Sequence, residues 1–343
     1  MRWLPFRGPL PVAQGVIASM RRHLLLLLKA AVSILLLYLS LRSVHLGTLA
    51  ERLSRLDPLW LGAALVLLAL QVVVQAVRWR EIATASGVRI AFPPMLQMNF
   101  IATFFNQVLP STVGGDAARI WLLARKGGGW ASATYSVLID RIAGVLVLAL
   151  IVIVCLPWTL TLIQDPVARA VLILIGGGAV GGAIVFLGLG LLPRQLFDRF
   201  MLTRHLAETS RVAWRLCRAP RAALIVAACS VAIHIMTVTI AWSCMKAIAA
   251  PVGFAPILFL MPPVLLVATV PISIAGWGVR ESSMVVAFAY AGLAQSDGLM
   301  LSILFGAMSF AIGVVGGLVW IASGLKIGAL SPTGETQALA DKP

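Results

Sequence analysis

The sequence predicts an all-α polytopic membrane protein: about six full transmembrane helices and two broken, re-entrant hairpins, roughly eight hydrophobic segments in all. Two observations predict it. Of 343 residues, 60% are hydrophobic and 11% charged, whereas a soluble domain carries about a quarter charged residues. Apolar runs recur at Leu24–Leu41, Leu59–Val77, Ala131–Cys155, Ala168–Leu192, Ala222–Met245 and Leu299–Ser323. A run of about 18 or more apolar residues reads as a transmembrane helix. One such run could be a core helix; a whole series cannot.

The formal net charge is +15, and its placement argues against nucleic acid as a partner. Basic residues gather in short segments beside the apolar runs. The largest group, residues 193–221, reads as a loop with seven Arg against Asp198 and Glu208. Cytoplasmic loops are enriched in Lys and Arg, where anionic lipid attracts them. Residues 1–23 then form a basic cytoplasmic N-terminal stretch, and Arg78–Arg89 and Arg125–Lys126 lie on the same side. Segments 158–167, 246–254 and 295–298 fall outside, while Arg42, Arg52 and Arg55 make 42–57 a dissenting loop. No A-x-A cleavage site precedes the first run, so it reads as a retained helix. The membrane domain covers 24–325, with halves at about 24–157 and 168–323, and residues 326–343 are a polar tail. The four cysteines lack CxxC spacing and point to neither a metal site nor a disulfide framework.

Two regions, 93–125 and 255–294, begin with proline and break at a Pro/Gly cluster between apolar arms. A broken backbone survives in a bilayer only where protein or a water-filled cavity surrounds it. Kinked spanning helices and re-entrant hairpins both fit this pattern. Internal comparison favours hairpins. PSTVGGDAAR (Pro110–Arg119) and PISIAGWGVR (Pro271–Arg280) share Pro, Gly115/Gly276 and Arg at one offset, and each half reads helix, helix, broken hairpin, helix. Under the charge-based orientation the hairpins enter from opposite sides, as an inverted repeat. Paired Gly/Pro interruptions in corresponding halves point to a transporter's midplane site.

Asp116 and Arg119 stand three apart after Gly114 and Gly115, so a helix restarting there puts them on one face. Its free N–H groups and positive dipole end suit an anion, and Arg adds a forked donor. Asp116 could equally cap that helix and neutralise Arg119. Arg280 and Glu281 follow Gly276 and Gly278 in the equivalent place. Asp140 and Arg141 lie some ten residues into an apolar run, where ionisable groups are costly; they serve a ligand or form a structural ion pair. Asn106 and Gln107 bind a polar ligand or satisfy backbone freed at the break, the latter favoured. His234 reads as helix packing rather than a proton relay. HExxH, GxSxG, the P-loop and His/Cys clusters are absent, so no catalytic residue, metal or cofactor is expected.

NQVLPSTVGGDAARIWLLAR, LIDRIAGV and VPISIAGWGVRE resemble the lysylphosphatidylglycerol synthase transmembrane (flippase-like) family, over about residues 24–325. On that resemblance Pro110, Gly114, Gly115, Asp116, Arg119, Asp140, Arg141, Gly276, Gly278, Arg280 and Glu281 occupy motif positions. The resemblance implies a lipid-handling domain of the bacterial inner membrane. Its lipid would be a phospholipid, hopanoid or polyprenyl-linked lipid. Two-part family members continue into a soluble aminoacyl-transferase domain; here the polar tail stands in its place, so no synthase chemistry is expected. The leading expectation is a flippase or transporter for a phosphate-bearing lipid. The alternatives are an intramembrane enzyme acting on lipid-linked phosphate or sugar, and an accessory subunit for a separate synthase or glycosyltransferase.

Overall fold

The computed structural model describes residues 24, 31–40, 42, 54–109, 113–197, 201–269 and 278–325. Among these the chain is helical, with no strand. The helices are α1 (Ala31–Ser40), α2 (Pro58–Ala85), α3 (Phe92–Val108), α4 (Gly114–Leu123), α5 (Trp130–Leu162), α6 (Pro166–Leu189), α7 (Met201–Cys217), α8 (Pro220–Ala247), α9 (Phe254–Ala268), α10 (Val279–Tyr290) and α11 (Gln295–Ala322). Local chemistry sets several starts. Asp57 accepts from the Leu59 N–H at 2.8 Å, and Asp165 from Ala168 at 2.7 Å. Each is followed by a proline in the first turn, where its missing N–H costs nothing.

Five helices (α2, α5, α6, α8 and α11) are long and apolar enough to span a membrane, the shortest having 24 residues. At 1.5 Å per residue that is about 36 Å, beyond a hydrocarbon core of about 30 Å. The chain is a multi-pass membrane protein. Of the sixth expected span, Leu24–Leu41, only Leu24 and 31–40 are described. Calls for residues 1–23 and 326–343 lie outside the described residues.

An antiparallel pair, α2 and α8, forms the axis. Asp57 N–H donates to the Ala247 carbonyl at 3.0 Å at one end. Midway, Gln71 Nε2 donates to the Ile233 carbonyl at 2.9 Å and Thr237 Oγ1 at 2.6 Å. Toward the other end Arg78 Nη1 reaches Ser230 Oγ at 3.1 Å, and Ile82 shares a cluster with Val226.

The two broken regions dock at opposite ends of this pair. In the first, α4 folds back along α3: Gly115 N–H donates to Asn106 Oδ1 at 2.9 Å. A Cβ on Gly114 would meet the Phe105 carbonyl oxygen and Leu109. Both ends of this hairpin sit beside the C-terminus of α2, because Arg80 Nε donates to the Ile90 carbonyl at 3.3 Å and Gly128 packs on Val88. In the second, Phe254 at the start of α9 meets Trp242 near the C-terminus of α8. The last turn of α10 packs through Phe288 on Gly298, in the first turns of α11. Arms of 17 and 10 residues, then 15 and 12, are each shorter than the roughly 20 residues a span needs. Hence the hairpins enter and leave on the same side, and the two halves are inverted. The connecting breaks, 110–112 and 270–277, lie outside the described residues, as do Pro110, Pro271, Gly276 and Trp277.

Two expectations need correction. Residues 193–221 are not a loop: Met201–Cys217 is α7, an amphipathic helix burying Ala207, Val212 and Leu216. Apolar residues recur there at helical spacing between arginines, a periodicity that charge counting obscured. Likewise α2 does not stop near Val77 but continues to Ala85, which draws Arg78 inside at 7% exposure.

Small residues let α11 close on α3: Gly313 lies against Gln107, Gly316 against the Phe100 carbonyl, and Gly317 against Phe104. Gly316→Ala should therefore destabilise the protein by roughly 1–3 kcal/mol through overpacking. Gly181→Ala, on α6 with open space around it, should be neutral or slightly stabilising. Thermal unfolding of both variants in detergent checks the contrast.

Candidate functional site

The first hairpin brings its polar residues to α5 and α2. Asp116 opens α4, and Arg119 lies one turn on with its Nη1 3.6 Å from Asp116 Oδ1. Arg119 Nη2 then donates to Asp140 Oδ2 on α5 at 2.8 Å. The other oxygen of Asp140 accepts from Arg78 Nε on α2, also at 2.8 Å. Arg141, the next residue on α5, turns to Asp116 Oδ2 at 2.5 Å. Thus Asp140 bridges two guanidiniums, and Asp116 meets two.

The surroundings reinforce the arrangement. The Arg119 guanidinium lies over the Trp79 ring at 4.0 Å, a cation–π distance, while Trp79 Nε1 donates to Ser136 Oγ at 3.2 Å. Asp116, Arg119, Asp140 and Arg78 are all buried, and Arg141 is half-exposed. Arg78 is seven residues from the end of α2 and Asp140 ten from the start of α5, so the network lies about 10–15 Å in from that end of the helices. Among the described residues the network holds three guanidiniums and two carboxylates. Arg119 Nε is buried and makes no hydrogen bond. Asn106 satisfies the restarted backbone through Gly115, as expected.

The second hairpin builds a local unit. Glu281 is fully buried and turns back on the start of its own helix, where Gly278 N–H donates to Oε2 at 2.6 Å. Its Oε1 accepts from Arg280 Nη2 at 2.7 Å and from Ser302 Oγ at 3.0 Å. Arg280 also donates to Ser302 Oγ and to the Ser302 carbonyl on α11. Gly278 has φ +88°, and a Cβ there would strike the Ser33 carbonyl and Leu36 of α1. Glycine is required on both counts. The six charges singled out in the sequence therefore divide: four join Arg78 around α4 and α5, and two pair beside α11.

Sequence reasoning missed Arg78, Trp79, Ser230 and Ser302. A signal existed for Arg78. It stands seven residues after Gln71, on one helix face, and both polar side chains are buried against α8. His234, read as packing, bonds the Gly144 carbonyl on α5 through Nε2 at 2.9 Å.

Asp140→Ala would strand two buried guanidiniums and should cost about 3–5 kcal/mol. Arg141→Gln, which alters a half-exposed pair, should cost about 1 kcal/mol or less. Unfolding curves of the purified variants in one detergent distinguish the two.

Comparison with known proteins places the chain beside membrane proteins. Over 171 residues, 49% of this chain and 49% of the relative, the sequence is 23% identical to the UPF0104 membrane protein PH1989 of Pyrococcus horikoshii. It is 27% identical over 134 residues to a UPF0104 membrane protein of Methanothermobacter thermautotrophicus, covering 38% of each. The matched region thus spans about half the length of these relatives or less. Residues 26–317 match the family described as the lysylphosphatidylglycerol synthase TM region. With most of its length inside that match, the chain belongs to the lysylphosphatidylglycerol synthase transmembrane family.

Proposed function

We propose that this protein moves a phosphate-bearing lipid between the leaflets of the cell's inner membrane. The observation that carries the reading is a largely buried network, three arginines and two aspartates among the described residues, built on a re-entrant hairpin and opposed by a second hairpin entering from the other end. Ionisable groups are expensive at that depth and are kept where they meet a ligand or a partner. The N-terminal turn of α4 adds a positive dipole end beside Arg119. Arg119 and Arg141 are the guanidiniums that exchange Asp116 for a phosphate. Arg78 and Asp140 hold Arg119 in place. Rocking of the inverted halves then exposes the headgroup to either side in turn. Arg280 has the same office in the second half, with Glu281 as its resting partner.

Geometry weighs against acid–base chemistry at Asp140 and Glu281. Both oxygens of Asp140 accept from guanidiniums, and Glu281 has a donor on each oxygen. Neither carboxylate has an oxygen clear of a protein donor, where a substrate's proton would have to arrive.

Reconstitution with headgroup-labelled phosphatidylglycerol tests the proposal. Leaflet exchange should exceed that of protein-free vesicles. Arg119→Lys keeps the charge but loses the fork, and it should slow exchange by roughly tenfold while the protein stays folded. Exchange equal to empty vesicles, with turnover of a lipid phosphate by the same preparation, would replace transport with an enzyme.

The helix ends carrying Arg89, Arg125, Lys126, Arg218 and Arg221 are read as the cytoplasmic face. Cys217 is exposed at that end, whereas Cys155 and Cys244 are buried. An impermeant maleimide should label Cys217 in inside-out vesicles and not in intact cells. The opposite pattern would reverse the orientation.

A further inference from the structure

A pocket of about 190 Å³ lies on the side of α5 turned toward α6, α7 and α8. Its walls are apolar: Ile142 and Leu146 of α5, Phe186 and Leu187 of α6, Leu216 of α7 and Ala227 of α8. Apolar cavities of about 150 Å³ stay dry and accept an apolar guest. Here the inner end is Ser230, whose hydroxyl accepts from Arg78, so the pocket reaches the back of the charge network.

Its outer end is different in character. Cys217 and Ala223 line it, and the turn between them carries Arg218 and Arg221, both exposed. Arg218 lies over the Trp214 ring at 5.9 Å. Neither arginine pairs with a carboxylate among the described residues. Helix α7 closes this end, fastened to α6 where Ser210 Oγ and Trp214 Nε1 donate to the Leu187 carbonyl at 3.2 and 2.9 Å. Ala227 is exposed on α8, which leaves the pocket open sideways.

An apolar slot of this size, opening sideways beneath two unpaired arginines, fits one kind of occupant. We propose that it binds an acidic membrane lipid, with one hydrocarbon chain under α7 and the anionic headgroup against Arg218 and Arg221. The proposal rests on the protein being embedded in a membrane and not on transport.

The probe is phosphatidylglycerol carrying a photoactivatable diazirine in one acyl chain, with the full-length protein in nanodiscs. Adducts should concentrate on Ile142–Leu146 and Ala183–Leu187. Adducts spread equally over the outward faces, such as Ile173 and Leu174 of α6, would overturn the site. Filling the slot with Ala183→Leu and Ala227→Leu should lower the pocket adducts by roughly an order of magnitude. Unchanged adducts would also overturn it. Arg218→Gln and Arg221→Gln should each reduce the preference for phosphatidylglycerol over phosphatidylcholine by roughly fivefold; an unaltered preference would remove the headgroup assignment. Because the readout is adduct position, its failure is independent of the leaflet-exchange result.

Discussion

Asp140 is the residue on which the interior depends. Its two oxygens hold Arg78 and Arg119, and through them α2, the re-entrant arm α4 and α5 converge on one carboxylate. Within a bilayer such a contact is not optional. Each guanidinium brought to this depth without a partner would face a desolvation cost far above the worth of an exposed ion pair. The same contact makes the hairpin tenable, because a helix that turns back inside the membrane needs neighbours for its polar groups. Asn106 serves the backbone at the break, and Asp140 serves the side chains below it.

The second half solves the same problem with other means. Glu281 binds the N–H of Gly278, its own arginine neighbour and Ser302, so α10 is satisfied almost within itself and against α11. The asymmetry follows from the contents of each hairpin. Among the described residues the first gathers three arginines and two aspartates from three helices, and the second pairs one arginine with one glutamate.

Much of the fold was legible in the sequence, because hydrocarbon imposes one rule on every spanning segment. Long apolar runs such as 131–155 had to be helices. The Pro/Gly breaks had to interrupt their helices, and the described arms beside them end short of a full span. The pairing of Asp116 with Arg119 was legible too, since a spacing of three on a helix brings side chains together. What escaped was governed by contacts between segments. Arg78 looked like the first residue of a basic loop, although Gln71 one heptad earlier shares its buried face. Helix α7 looked like a loop because its seven-Arg neighbourhood was read for charge before periodicity. Ser230 and Ser302 carried no local mark, for a serine in a helix becomes a ligand of arginine only when another helix delivers one.

By itself the sequence determined the solvent, the helical class, the family and the repeat of breaks. These depend on composition and short-range spacing, which the hydrophobic core of a bilayer and the backbone's hydrogen-bonding needs translate directly into structure. Only the tertiary structure decided which charges meet. It divided six expected ionisable residues between two sites, added Arg78 from α2, and set an apolar pocket behind the network under α7. The reason is physical: an ion pair between helices is fixed by packing over many residues, and nothing in the local sequence of either partner records it.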